Sequence, residues 1–197
     1  MDAHDPKKFH PSRAASLDAP EREQYLPTPL LIDALELDGG ETVLDYGAGT
    51  GRLAMAVAAA LTRGRVVAVD ESAEMVALMQ DRLAAVANAT VALISANSVP
   101  LRDGEADRIL AVSLLHEIRG EGALREMRRV IAADGILLLA DWERGRPRPA
   151  GPSDQILYTA GEAVDELRAA GFEPAEVALG LPYHFVIRAT AAPVDAR

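Results

Sequence analysis

Asp45 stands two residues ahead of a glycine series, Gly47, Gly49 and Gly51, in the segment VLDYGAGTG (43–51). Asp70 follows nineteen residues after Gly51, at the end of RVVAVD (65–70). A short apolar strand running into glycines just before a helix makes a loop whose backbone turns tightly and meets a ligand with no Cβ in the way. An acid closing the next strand is placed to accept hydrogen bonds from ribose hydroxyls. A tight strand–helix turn with no ligand is the plain alternative. Strand, loop, helix and acid nevertheless all fall where nucleotide binding needs them.

Two ligand chemistries share this layout. A dinucleotide fingerprint, G-x-G-x-x-G, would put its third glycine at position 52, which is Arg52. The spacing here is G-x-G-x-G, and a carboxylate at Asp45 would repel a pyrophosphate. The same carboxylate suits a cationic ligand, such as the sulfonium and ammonium groups of S-adenosylmethionine.

Other reactive side chains are few. Of four histidines, His116 in SLLHEI follows a strand end at the expected crevice, which makes it the candidate general base. A strand cap bonded to backbone is the alternative for it. His184 begins the last strand, where a packed or surface role is expected, and His4 and His10 reach a pocket only if the N-terminal segment folds over. Asp141 ends a strand and can either touch substrate or cap the next loop, whereas Glu117 reads as a solvated acid. Between residues 26 and 141 the only aromatic is Tyr46. Phe9, Tyr25, Trp142, Tyr158 and Tyr183 lie in segments that flank the crevice, so they either wall a substrate pocket or pin loops to the sheet. The pocket candidates are therefore Tyr25, His116, Asp141, Trp142 and Tyr158. The basic run RGRPR (144–148) reads as a solvated loop balanced by Glu143 and Asp154 rather than an anion-attracting lid.

These residues need a scaffold. Almost wholly apolar strands at 42–46, 65–70, 90–94, 106–113 and 135–141 alternate with helical stretches at 52–62, from Ser72 to Val86, and at 121–132. That alternation predicts an open, doubly wound parallel sheet with its ligand crevice at the strands' carboxyl ends. After a helix near 160–170, the segments PAEVAL and YHFVIRA are separated only by Gly180-Leu181-Pro182. That gap is too short for a crossover and predicts an antiparallel hairpin. Residues 1–24 lack a steady period and read as an irregular or partly helical arm.

Composition narrows the function classes. With 197 residues the chain fits one domain. Twenty Lys+Arg against thirty Asp+Glu give a net charge of −10, which argues against nucleic acid or an anionic membrane as partner. Cysteine is absent, so disulfides, Cys-ligated zinc, iron–sulfur clusters and thiol nucleophiles are excluded, and no metal site is expected. The first twenty residues show no secretory segment and the longest apolar run, 53–61, is too short to span a bilayer, so a soluble, cytoplasmic domain is expected.

VLDYGAGTG, VVAVD, LISANSVPLRDGEADRILAVSLLHEI and LREMRRVIAADGILLLADW, in that order, resemble the class I S-adenosylmethionine-dependent methyltransferases. The likeness is to the methyltransferase type 11 and ubiquinone/menaquinone-methyltransferase-like group, over residues 20–190. It implies a Rossmann-like α/β fold: a doubly wound, mostly parallel seven-stranded sheet ending in the antiparallel hairpin, with residues 1–29 as an arm or lid on a domain of 30–197. It implies S-adenosylmethionine as cofactor, with Asp45 and the Gly47–Ala48–Gly49–Gly51 loop holding the methionine portion and Asp70 the ribose. Glu71 and Met75 would border the adenine, and Ser113 would face the methionine end. Where the family often has an Asp after the third strand this chain has Ser95, which leaves adenine recognition to Ala96 and Asn97. A small-molecule methyl acceptor is the implied partner, and a homodimer is left open. A cofactor-binding protein without catalysis and an NAD(P)-dependent oxidoreductase remain as alternatives, the latter disfavoured by Arg52 and Asp45.

Overall fold

Strands that are apolar on both sides demand helices on both sides, and the chain supplies them. The computed structural model describes residues 9–95, 98–118 and 122–193. Its elements are α1 (Ala14–Leu17), α2 (Thr28–Ala34), β1 (Thr42–Tyr46), α3 (Arg52–Ala60), β2 (Arg65–Asp70), α4 (Ala73–Leu83) and β3 (Ala89–Leu93). There follow β4 (Ala106–Val112), α5 (Gly122–Val130), β5 (Ile131–Trp142), α6 (Ala160–Ala169), β6 (Phe172–Glu176) and β7 (His184–Ala191). The seven strands lie in the order β3-β2-β1-β4-β5-β7-β6. β1 to β5 run parallel, and β7 is antiparallel to both β5 and β6. This is the Rossmann-like sheet with a terminal antiparallel pair that the sequence implies.

Alternation along each strand divides the core into two layers. Val43, Ala68, Leu110, Leu138 and Val186 pack toward α2, α3 and α4. Leu44, Val67, Val69, Ile109, Leu139 and Ile187 pack toward α5 and α6. Each such side chain contributes about 1.5–3 kcal/mol on burial. Helix starts are set locally: Ser72 Oγ accepts from the Met75 amide at 3.3 Å to cap α4, and Thr159 with Glu162 forms a capping box on α6. Strand order reverses between β1 and β4, so the loops leaving these strands diverge and open the crevice there.

Several boundaries shift from the sequence reading by one to three residues, and two differ in kind. The helix expected to reach residue 132 ends at Val130, and Ile131 already belongs to β5. Ala106 pairs with Ile131 and Arg108 with Ile136, so β5 bulges over 132–135. Gly135 sits in that bulge, where a Cβ would meet Ile131 Cγ1 at 2.7 Å. At the other end β6 starts at Phe172 and stops at Glu176, which lengthens the hairpin connection to 177–183. Pro174 is tolerated because β6 is an edge strand.

The N-terminal arm lies across the crevice side of the sheet. Two 3₁₀ turns, Pro11–Arg13 and Pro20–Gln24, flank α1. Asp18 accepts from the Thr50 hydroxyl at 2.8 Å and is clasped by both Nη atoms of Arg82, at 2.8 and 2.6 Å. Glu23 pairs with Arg52, and Leu17 reaches the glycine loop, where a Cβ on Gly49 would stand 3.2 Å from its Cδ1.

Candidate functional site

The loop after β1 is held open by its own backbone. The Gly47 and Ala48 amides both donate to Val69 O at 2.9 Å, which ties the loop to β2. Gly47 and Gly51 adopt φ of +73° and +79°, conformations that side-chain-bearing residues rarely take. At Gly47 a Cβ would also stand 2.6 Å from Leu114 Cδ1, so a side chain there would have to displace that of Leu114.

Asp45 ends within this corner, 2% exposed. The Ala54 amide donates to its carboxylate, but Oδ2 is buried with no hydrogen-bond partner. Burial, reinforced by the charge of Asp70, pushes Asp45 up to about 7. Across the crevice Ser113 closes β4 with φ +54°, and its Oγ is likewise buried and unpartnered. A non-glycine residue in that conformation beside an orphaned hydroxyl is the kind of local cost that a ligand site carries.

Asp70 anchors the loop as well as facing the crevice. Its Oδ2 accepts from the Gly49 amide and its Oδ1 from the Ser72 amide, each at 2.9 Å. The Glu71 amide also donates to this carboxylate, so of about four acceptor positions one remains for a ligand hydroxyl. Burial raises its pKa, against the pull of these amides. Glu71 follows it, exposed, and Met75 is buried in the first turn of α4. Ala96 and Asn97, the expected adenine contacts, lie outside the described residues.

The second half of the site gathers around the end of β5. His116 is 5% exposed, and its Nδ1 lies 2.8 Å from Asp141 Oδ1 while its backbone amide donates to Asp141 Oδ2 at 3.1 Å. Asp141 Oδ1 also accepts from the Trp142 amide at 2.7 Å, so it both caps the following segment and orients the imidazole. Burial alone would lower the His116 pKa, but the charge and hydrogen bond of Asp141, with Glu117 beyond, outweigh it and hold it above its usual value. Its Nε2 faces Glu117 Oε1 at 3.6 Å, too far for a hydrogen bond.

Glu117 corrects the sequence reading. It is partly buried rather than solvated, with its Oε2 accepting from the Phe9 amide of the arm at 3.0 Å. Burial raises its pKa, and both Asp141 and Asp70 push in the same direction. Asp70 acts on both Asp45 and Glu117, and Asp141 acts on Glu117, so these carboxylates make one acidic trench. Such a trench favours a cation and disfavours a pyrophosphate.

The expected pocket residues divide into two groups. His116, Asp141 and Tyr158 lie on the α5/α6 side, the Tyr158 phenol raised by burial and by nearby acids including Asp141. Tyr25 and Trp142 lie on the other side, ring centroids 5.5 Å apart, together with Tyr183 and His184. Trp142 and His184 are cross-strand partners in the β5–β7 ladder. The basic loop is internally neutralised: Arg144 pairs with Glu162, Arg146 with Glu143 and Arg148 with Asp154. Glu162 is the one partner the sequence reading lacked. Among the described residues no helix is long and apolar enough to cross a membrane.

Known proteins are similar to this chain in sequence and in fold. A family model described as a methyltransferase domain matches residues 43–135. The malonyl-[acyl-carrier protein] O-methyltransferase of Geobacter sulfurreducens is 30% identical over 182 residues, 83% of this chain and 68% of that protein. The ubiquinone/menaquinone biosynthesis C-methyltransferase UbiE of Syntrophotalea carbinolica is 34% identical over 129 residues, 64% of this chain and 53% of that protein. The chain therefore spans two thirds of the first relative's length and about half of the second's. A crystal structure of a SAM dependent methyltransferase from Aquifex aeolicus superposes with a TM-score of 0.88 at 28% identity, covering 94% of this chain and 100% of that one.

Proposed function

Because this chain belongs to the class I S-adenosylmethionine-dependent methyltransferases, we propose that it methylates an oxygen or nitrogen of a small-molecule acceptor, with His116 as general base. The observation that carries the reading is the pair of buried, unpartnered acceptors, Asp45 Oδ2 and Ser113 Oγ, in an acidic trench that ends at the His116–Asp141 pair. Asp45 and Ser113 would take the cationic methionine end, the glycine loop its carboxylate side, and Asp70 the ribose. Bound S-adenosylmethionine supplies a methyl carbon made electrophilic by its sulfonium.

The chain's own residues then have two tasks, positioning and proton removal. Asp141 engages the Nδ1 side of His116, which leaves Nε2 as the nitrogen that accepts a proton from the acceptor's O–H or N–H. The arm, docked through Phe9 on Glu117 and through Asp18 on Thr50 and Arg82, covers both halves of the crevice and excludes water. It acts as a lid. Hydrogen exchange over residues 9–26 is expected to slow on adding S-adenosylhomocysteine while α6 stays unchanged; indifference of the arm would mean that it is only a fixed wall.

Titration calorimetry tests the reading directly. S-adenosylmethionine and S-adenosylhomocysteine should bind in the micromolar range, and NADH should not. The reverse pattern would overturn it. Asp70→Ala should weaken cofactor binding by about 2–3 kcal/mol, since a charged acceptor is lost from the ribose and from the Gly49 amide together. A folded variant with wild-type affinity would remove Asp70 from the site.

A further inference from the structure

Arg22 is an arginine without a counter-ion. The residue is 9% exposed, its Nε is buried with no partner, and no described acid pairs with its guanidinium. The acids whose charge reaches it, Asp18 and Glu23, are engaged elsewhere: Asp18 by Arg82 and Thr50, Glu23 by Arg52 and Thr28. A buried cation left this way carries a desolvation cost that an anion would relieve.

His184, against which Tyr25 of the same turn stacks, presents the same anomaly. It is 3% exposed and both ring nitrogens, Nδ1 and Nε2, are buried without a hydrogen-bond partner. A neutral imidazole in that state has one N–H donor to offer. Arg22 is close enough for its charge to act on the ring, as are Asp141, His116 and Arg146. The two residues are joined by aromatics. Tyr25, one turn after Arg22, lies parallel to the His184 ring with 4° between planes and centroids 5.9 Å apart. Trp142 completes a cluster with both, 4.2 Å from the His184 centroid and 5.5 Å from that of Tyr25, and Tyr183 lies 6.3 Å from Trp142.

From this juxtaposition we infer that Arg22 and His184 form a subsite for the carboxylate of the methyl acceptor, whose flat apolar body packs on Tyr25, Trp142 and Tyr183. The inference rests on the acceptor-side reading above and names its substrate class: a planar, typically aromatic, small molecule bearing a carboxylate away from the methylated atom. A guanidinium fork and an imidazole N–H match the two oxygens of a planar carboxylate, and aromatic faces take the ring behind it. Half of the subsite, Arg22 and Tyr25, rides on the arm, and half, Trp142 and His184, is fixed in the β5–β7 ladder. Arm closure therefore completes it.

Trp142 is the only tryptophan, so its fluorescence reports on the subsite. Benzoate, benzamide and acetate are titrated into the full chain, with and without S-adenosylhomocysteine, and into Arg22→Gln and Arg22→Lys. Benzoate should give a saturable change, with benzamide and acetate at least about tenfold weaker. Arg22→Gln should weaken benzoate by at least about tenfold without moving benzamide, and Arg22→Lys, which keeps charge but not the fork, should fall between. S-adenosylhomocysteine affinity and the unfolding midpoint serve as controls that the variants fold. Equal binding of benzoate and benzamide, no saturable benzoate response in wild type, or wild-type benzoate affinity in both variants overturns the subsite. Loss of S-adenosylhomocysteine binding in wild type, with the benzoate pattern intact, would instead strike the methyltransferase reading alone.

Discussion

Asp45→Asn is expected to lose the cofactor and gain stability at the same time. In the wild type the Asp45 carboxylate is fully buried, one oxygen unpaired, and raised from its usual 3.8 to about 7. A carboxyl raised on folding contributes stability that is complete below about 4 and is lost as pH climbs through about 7. At pH 8 the unliganded protein thus bears a cost of roughly 4 kcal/mol for this one charge. Asn keeps the shape and an acceptor for the Ala54 amide but leaves an unpaired N–H, so the net gain should be about 2 kcal/mol. At pH 8 that corresponds to a melting point higher by roughly 4–8 °C. Affinity for S-adenosylmethionine should fall by about 30- to 1000-fold, because a buried cation–carboxylate contact is removed. Wild-type affinity should rise from pH 6 to pH 8 as Asp45 ionises, and the variant's should not. Calorimetric titration and thermal scans across that range check all three. A variant that still binds tightly would place the methionine end of the cofactor elsewhere.

How much of this was legible without coordinates depends on how locally each feature is encoded. The β1–glycine–α3 corner and Asp70 are written in contiguous residues whose types leave the backbone little choice, and they stand where the sequence placed them. The Ser72 cap is similarly local. The α5–β5 junction was not legible, because the apolar period of α5 continues into Ile131 and only its pairing with Ala106 makes that residue a strand. Glu117 reads as a surface acid until the arm's Phe9 amide, 108 residues away in sequence, finds it. Arg22 and His184 are harder still. Neither carries a local signal: one sits in a charged arm, the other opens an ordinary apolar strand. What makes them notable is the partners they lack, a property of three-dimensional burial alone.

Activity itself should depend most on the tautomer of His116. Its Nδ1 meets Asp141 Oδ1, and the same carboxylate also accepts from two backbone amides, His116 N and Trp142 N. Two oxygens thus serve three donors, and a carboxylate has the lone pairs for it. In Asp141→Asn one oxygen becomes an NH₂ group. The backbone amides claim the remaining acceptor, and the new N–H turns toward His116 Nδ1 and moves the ring proton to Nε2. The imidazole is then in the wrong form to accept a proton from the acceptor, though its position is nearly unchanged. The expected loss is about 10²–10⁴-fold in kcat with cofactor affinity preserved. His116→Gln should match it, and the double variant should be little worse, since the two act as one unit. In the wild type kcat should rise with pH through a midpoint above the usual histidine value, because Asp141 and Glu117 favour the protonated ring that must first be emptied. That limb should vanish in both variants. If Asp141→Asn keeps its kcat and the pH limb stays, the methylated atom needs no base, and the acceptor is a carbon or an already ionised group rather than a neutral hydroxyl or amine.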